Sequence, residues 1–346
     1  MVRILLHKSA PWRWLFCMAG FVVAACSAQG QYDPDWASHF RIGPMVGFNI
    51  KADFSTVGNI PINHAAGVYD DGYVHPPPPG SADDVTSNWG YNNSTQVSGQ
   101  TLLMHRTTSF SLYGSAGENK NAPPLPGFDL AYGGNLWYWG RARIGWDFGF
   151  GLLPINLSVN ESELGNANQS TFSFNTGPDT SVLLANGLLP PGYKGTPNPG
   201  PGIFSTPTQG NSAANPNATL TGSQSLDVML YTFRLGPSVY WDFSRYVGMS
   251  VGAGPALGLV SGDLKFDEFI QTSTVAENKG QVNGTDLVYG WYANATVMYH
   301  VMKNGDIYLG GQYMPMGTAT LSGQGRQGRL DLRGAAYISA GFNWPF

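Results

Sequence analysis

Charge is scarce in this chain. Charged residues make up 12% of the 346, about half the share usual for a soluble domain. No apolar run reaches the ~20 residues that a membrane-spanning helix needs, so helices in a bilayer do not account for the shortfall. Cysteine is almost missing as well: Cys17 and Cys26 are the only two, and both lie within the first 28 residues. A disulfide framework is thereby excluded for the rest of the chain. Basic residues are few, and three of them, Arg3, Lys8 and Arg13, precede the apolar stretch Leu15 to Ala25. That order, followed by small residues, reads as a secretory signal peptide over residues 1–28. Two cleavage positions compete. One lies after Ala28 by the small-x-small rule; the other lies before Cys26, where "VAAC" resembles a lipobox that would leave the cysteine lipidated. Loss of residues 1–28 moves the formal net charge from −4 to −7, which argues against nucleic acid as a partner.

What the chain has in quantity is glycine, aromatic side chains and alternation. "HFRIGPMVGFNIKADF" sets Phe40, Ile42, Val46, Phe48 and Ile50 on one face and Arg41, Gly43, Gly47, Asn49 and Lys51 on the other. "RARIGWDFGFGL", "MLYTFRLGPSVYW", "YVGMSVGAGPALGLV", "DLVYGWYANATVMYHV" and "DIYLGGQY" alternate in the same way, and residues 128–136 do so more weakly. The chain ends on "AAYISAGFNWPF", with Ile338, Ala340, Phe342, Trp344 and Phe346 on one parity. A period of two is the signature of strands with one greasy face. These segments predict eight strands in residues 29–346, read as a single domain.

The connections alternate strictly between short and long. Strands two and three join at Trp139–Arg141, four and five at "DFSR", six and seven at "KNGD". Long connections fall at about 55–126, 160–224, 263–285 and 316–328. An up-and-down barrel in an outer membrane has this asymmetry, with short periplasmic turns and long outer loops. Aromatics also sort to one end of the strands, at Trp36, Trp137, Trp139, Trp241, Tyr246, Tyr299, Trp344 and Phe346, as an interfacial girdle does. The fold class expected is therefore all-β: a transmembrane antiparallel up-and-down β-barrel of eight strands, or ten if a loop hairpin joins the wall.

With its terminal strand and the aromatics Phe342, Trp344 and Phe346, the chain resembles the small outer-membrane barrels of diderm bacteria, the class of the OmpA membrane domain, OmpX and OmpW. The resemblance covers the strands, about half of residues 29–346, and neither of the two longest loops. It implies a bacterial outer-membrane location, contact with outer-membrane lipids and lipopolysaccharide, and recognition of the terminal strand by the barrel-assembly machinery. No cofactor and no metal are implied.

An eight-stranded barrel has an interior that its own side chains fill. The inward charges expected are Arg41, Lys51, Asp129, Arg143, Asp147, Arg234, Asp331 and Arg333. Both signs are present, so a paired network is the bland reading and a gated ion path the sharp one. "GMSVG" (Gly248–Gly252) matches a hydrolase elbow but sits inside an alternating strand. "GQGRQG" (Gly323–Gly328) matches a nucleotide motif but no helical pattern follows, so it reads as a flexible loop. His300 faces inward with no acid close in sequence, and His64, His75 and His105 share the first long loop. "NWGYNNSTQVSGQTLLMHRTTSF" reads as a hairpin with its tip at Ser98–Gln100. Trp89, Tyr91 and Tyr193 are candidates for loop contact with a ligand. Asp263, Asp267, Glu268 and Glu277 read as solvated acids, with cation binding near lipopolysaccharide as the sharper alternative. The expectation for function is a non-enzymatic surface protein acting through its loops. A narrow channel for small or apolar solutes and a lipid-modifying enzyme are the alternatives.

Overall fold

The computed structural model describes residues 37–346 except 57, 80–82, 114–116, 187–200 and 303–304. The expected signal peptide, both of its cleavage positions and Tyr193 lie outside the described residues. The chain is nearly all strand. β1 (Ser38–Phe48) is followed by β2 (Lys51–Thr56), then by the short strands β3 (Asn59–Pro61), β4 (Val68–Tyr69), β5 (Gly72–Val74), β6 (Val85–Thr86), β7 (Trp89–Tyr91) and β8 (Val97–Ser98). β9 (Thr101–Leu112), β10 (Gly117–Asn121), β11 (Leu125–Trp139) and β12 (Ala142–Asn175) come next. Helix α1 (Gly177–Ala185) and β13 (Ile203–Phe204) precede the long strands β14 (Thr208–Asp242), β15 (Val247–Gln271) and β16 (Val275–Met302). β17 (Gly305–Tyr313), β18 (Thr318–Gly323), β19 (Arg326–Asp331) and β20 (Ala336–Pro345) complete the chain.

The main ladders are antiparallel and run β1–β11–β12–β14–β15–β16–β17–β20, and β20 pairs with β1 again. Following the pairings therefore returns to the starting strand, and no edge is left along this circuit. Both described chain ends lie at one end of it, where Phe346 N donates to Ser38 O at 2.8 Å. We call this the near end. There β11 and β12 join through Gly140, whose φ of 59° suits a residue without Cβ.

Halfway along, four strands break and four do not. β1 ends at Asn49, which has φ 57° and holds Gly334 O through Nδ2 at 2.9 Å. A second sheet then follows in the order β10–β2–β19–β18. That order repeats β11–β1–β20–β17 of the first circuit, strand for strand. Bonds such as Ala122 N to Ile50 O at 2.9 Å and Met314 N to Ala335 O at 2.9 Å keep the fold line in register. β12, β14, β15 and β16 run straight past this line. The second sheet lays its apolar face on them: Ile50, Phe54, Leu321, Leu330 and Leu332 meet Leu153, Ile155, Leu226, Val228, Leu230, Val260 and Leu264 in one core.

Three expected loops are thus regular structure. Residues 160–175 and 208–224 belong to a pair of strands laddered together out to Ser173–Thr208. Residues 263–285 form a hairpin whose strands meet at Gln271–Val275. "GQGRQG" is a tight turn between β18 and β19, with Gln324 and Gly325 both at positive φ. Their polar outer faces conceal the alternation, and cross-strand pairing decides the outcome over residue propensity. The hairpin expected at Ser98–Gln100 exists, but its first arm pairs only at Val97–Leu102 and Ser98–Thr101. β9 pairs instead along the upper half of β12.

Candidate functional site: a charged interior closed by an apolar core

The long strands carry a reversal of facing that positions everything else. In β12 the odd residues from Arg143 to Gln169 point inward. Arg143, Gly145, Asp147, Gly149 and Gly151 are buried near the chain ends, and Leu153, Ile155, Leu157 and Val159 are buried beyond them. The even residues face out, first Ile144, Trp146, Phe148, Phe150 and Leu152, then Pro154, Asn156, Ser158 and Asn160. β14, β15 and β16 switch in the same way. Leu152, Tyr231, Leu259 and Leu287 are successive cross-strand partners. They mark the level across four strands beyond which the exterior is mostly polar, with Met229, Leu164, Phe269 and Val275 as outward apolar exceptions. Phe148, Val251 and Phe342 are 41%, 42% and 50% exposed, so the greasy face is not a protein core. Aromatics crowd both margins of the belt: Trp139, Trp241, Tyr299, Trp344 and Phe346 at the near end, Tyr289, Trp291 and Tyr313 at the far margin.

Inside the belt the charges are paired. Arg234 grips Asp129 with two bonds, Nη1 to Oδ1 at 2.8 Å and Nη2 to Oδ2 at 3.0 Å. Gly149 leaves room for that guanidinium, since a Cβ there would lie 2.3 Å from Arg234 Cζ. Arg41 Nη2 donates to Asp147 Oδ2 at 2.5 Å and Nη1 to Ser250 Oγ at 3.3 Å, and His39 Nε2 lies 2.9 Å from Asp147 Oδ1. Arg143 pairs with Asp242 and stacks on the Tyr240 ring at 4.5 Å. At the near end His300 Nδ1 meets Asp306 Oδ1 at 2.7 Å, and Asn343 Nδ2 donates to Asp306 Oδ2 at 2.7 Å. Charges in low dielectric persist when paired and hydrogen-bonded.

Five of the expected inward charges, Arg41, Asp129, Arg143, Asp147 and Arg234, lie in this layer. Lys51, Asp331 and Arg333 do not. They follow the fold line, where β2 and β19 belong to the second sheet and turn these side chains out. Lys51 sits opposite Asp331, and Arg333, 68% exposed, pairs with Asp331 at 2.7 Å. Ile50, counted with the greasy exterior, is fully buried for the same reason. The expectation that His300 lacks a nearby acid is also corrected: Asp306 arrives across the β16–β17 turn. His39, Asp242, Asp306 and Asn343 were missed, although Asp306 and Asn343 hold inward parity in strands that alternate visibly. "GMSVG" runs straight through β15, with the Ser250 hydroxyl accepting from Arg41.

Just beyond the level of the switch an apolar core fills the interior, and the connections build a folded head. Trp89 is fully buried and Tyr91 is 2% exposed, in a core with Tyr69, Leu102, Met104, Phe174 and Ile203. The Trp89 indole N–H donates to Pro201 O at 2.9 Å. Neither ring is a contact surface, because the loop spends both on its own packing. The three loop histidines are kept apart by separate partners. His105 Nδ1 meets Asp71 Oδ2 at 2.6 Å, His64 Nε2 meets Thr107 O at 2.8 Å, and His75 lies against the Tyr73 ring at 5.2 Å. Burial pushes the Asp71 carboxyl above its usual range, although bonds from His105 oppose the shift. Glu268, expected in solvent, is fully buried against Arg326. Asp267 lies on the outer face, paired with Lys279 at 2.8 Å.

No family model and no curated protein sequence matches the chain. Among solved structures it is similar to the outer-membrane protease OmpT of Escherichia coli, at 10% identity and TM-score 0.32, over 91% of this chain and 98% of that one. It is similar to Ail, the attachment invasion locus protein of Yersinia pestis, at 8% identity and TM-score 0.26, over 87% and 99%. A FadL homologue of Pseudomonas aeruginosa aligns at 12% identity and TM-score 0.18, over 90% of each chain. No helix among the described residues is long and apolar enough to cross a membrane.

Proposed function

We propose that this protein is a non-enzymatic surface protein of a bacterial outer membrane. In this reading the circuit of pairings is a closed eight-stranded barrel. Its lumen is sealed, and its far end carries the head outside the cell for structural, adhesive or ligand-binding contact. The observation that carries the reading is the switch of facing. Hydrocarbon tolerates a closed sheet because every backbone group is paired within it, and it solvates apolar side chains on the outside. Above the hydrocarbon, water reverses the preference. From Val247 to Leu259 the outward face of β15 is apolar or small. Those residues, at about 3.3 Å each and tilted about 45°, rise roughly 30 Å, the depth of a bilayer core.

The near end, with its short Gly140 turn, then faces the periplasm. Outer-membrane lipids contact the belt, and lipopolysaccharide surrounds the polar band that begins at Ser261 and Thr285. Phe342, Trp344 and Phe346, all outward and exposed, would be read by the barrel-assembly machinery during biogenesis. The sealed interior favours a surface role over conduction. The reading is tested on cells and on purified protein together. Heat-modifiable gel mobility is expected, with protease access from outside to the head and silence in planar bilayers. Protein in the soluble fraction after carbonate washing, or steady single-channel currents, would overturn it.

A further inference from the structure

The rim at the near end carries positive charge that the chain does not neutralise. Two short turns stand side by side there, residues 140–141 between β11 and β12 and residues 243–246 between β14 and β15. Their strands are laddered together, with Ala142 opposite Trp241, and Asp242 N donates to Arg141 O at 3.4 Å. Arg141 and Arg245 are both exposed, and among the described residues neither forms an ion pair. The Arg245 guanidinium lies over the Tyr246 ring, 4.6 Å from its centroid, which holds the group flat and leaves its N–H edge open to an acceptor. The acid three residues before it, Asp242, turns to the interior, where Arg143 holds it. Ser244 is spent on the turn, its hydroxyl accepting from Tyr246 N at 3.2 Å and from Val247 N at 3.1 Å.

Next to these turns the outer face is apolar. Trp139, Ala142 and Trp241 are successive cross-strand partners, and so, one level further along, are Trp137, Ile144 and Val239. The indoles of Trp139 and Trp241 are 78% and 51% exposed, and Phe243 stacks on Trp241 with centroids 6.4 Å apart. Cations above a strip of indoles and aliphatic side chains match a phospholipid at a bilayer surface. Guanidinium groups take phosphate oxygens through paired N–H donors, and indoles sit at the level of the headgroup. A zwitterionic headgroup would bring its own ammonium against two arginines, with Asp242 already held inside; a net negative headgroup meets no such opposition. We propose that these two turns form a binding site for an anionic phospholipid of the leaflet they face. Arg141 and Arg245 hold the phosphate, and Trp139, Ile144 and Trp241 carry the first carbons of an acyl chain. The proposal rests on the membrane reading and goes beyond it, since a barrel can cross a bilayer with no preference among headgroups.

The test is native mass spectrometry of the purified protein in detergent, titrated with dioleoylphosphatidylglycerol or dioleoylphosphatidylcholine, with inorganic phosphate as competitor. A saturable phosphatidylglycerol site is expected, about tenfold or more tighter than for phosphatidylcholine. Arg141→Gln and Arg245→Gln should each weaken it about fivefold, as the attraction of one basic side chain to an anionic headgroup implies, and together remove the preference. Lys265→Gln, on the outer face beyond the far margin of the belt, should change nothing. Equal binding of the two lipids, a preference retained in the double variant, or displacement by inorganic phosphate would each overturn the site. Heat-modifiable gel mobility is measured alongside. A parent protein that shows it without a lipid preference sinks this site alone; one that lacks it sinks the membrane reading and this site with it.

Discussion

Arg234→Ala separates two meanings of a charged interior. In a conducting pore, a truncated arginine widens the path and raises the current. In a sealed barrel the same change costs stability and conducts nothing. Arg234 and Asp129 are 5% and 9% exposed, and the arginine makes two hydrogen bonds to the carboxylate. With charge centres about 4 Å apart and an effective dielectric of about 20, their attraction is about 4 kcal/mol. Removing one partner of a buried pair costs about 3–5 kcal/mol, because the other charge stays behind unpaired. The alanine leaves Leu153, Leu230, Val260 and Tyr292 in place above it, so the closure is intact. Urea unfolding in detergent should show the loss, and the double change Arg234→Leu with Asp129→Leu should recover most of it. Planar-bilayer recordings of Arg234→Ala should remain silent. A new ohmic conductance, or a stability within about 1 kcal/mol of the parent, would refute the argument.

The belt predicts a sharp dependence on height. Val251→Arg, in mid-belt and outward, should cost about 2–4 kcal/mol in lipid, while Ser225→Arg, outward but above the switch, should stay within about 0.5 kcal/mol; both are read by unfolding in vesicles. Glu268→Gln should destabilise the head by about 3–5 kcal/mol by stranding Arg326, whose burial lowers its pKa to about 10 and so still leaves it charged at neutral pH. Hydrogen exchange of β19 reads that loss, and Glu268→Leu with Arg326→Met should reverse it. Asp71 has a folded pKa above its usual value, so the folded head holds that proton more tightly than the unfolded chain. Head stability should therefore rise as pH falls from neutral toward about 4, and Asp71→Asn should flatten the slope. Proteolysis rates across that range check the sign.

The belt strands were legible because their alternation keeps apolar and aromatic residues on one parity. Arg41, Asp147 and Arg234 were legible for the complementary reason: they stand on the parity that a closed sheet turns inward. The same counting failed at Lys51, Asp331 and Arg333, where Asn49 and the Leu332–Ala335 turn break the strand while the letters keep alternating. It failed again over residues 160–175 and 208–223. There the outward face is mostly Ser, Asn and Thr, the inward face mixes Glu161, Glu163 and Gln169 with small and apolar residues, and the segment reads as loop. Trp89 and Tyr91 were misjudged because a loop long enough to bury its own aromatics looks, as a sequence, like one that displays them.

The reversal of facing and the fold line are two consequences of one boundary. In the proposed membrane reading, hydrocarbon favours the apolar exterior below it, which leaves the interior as the place for polar atoms, and those must pair. Above it, in the same reading, the exterior is wet and most apolar residues go inside. There β1, β11, β17 and β20 break together, at Asn49 and its counterparts, and their continuations fold onto β12, β14, β15 and β16. The seal over the charged layer is thus not a separate plug inserted in a pore. On the proposed reading it is the hydrophobic core that the outer half of the same wall makes where water replaces lipid outside it, and opening it would require unfolding the head.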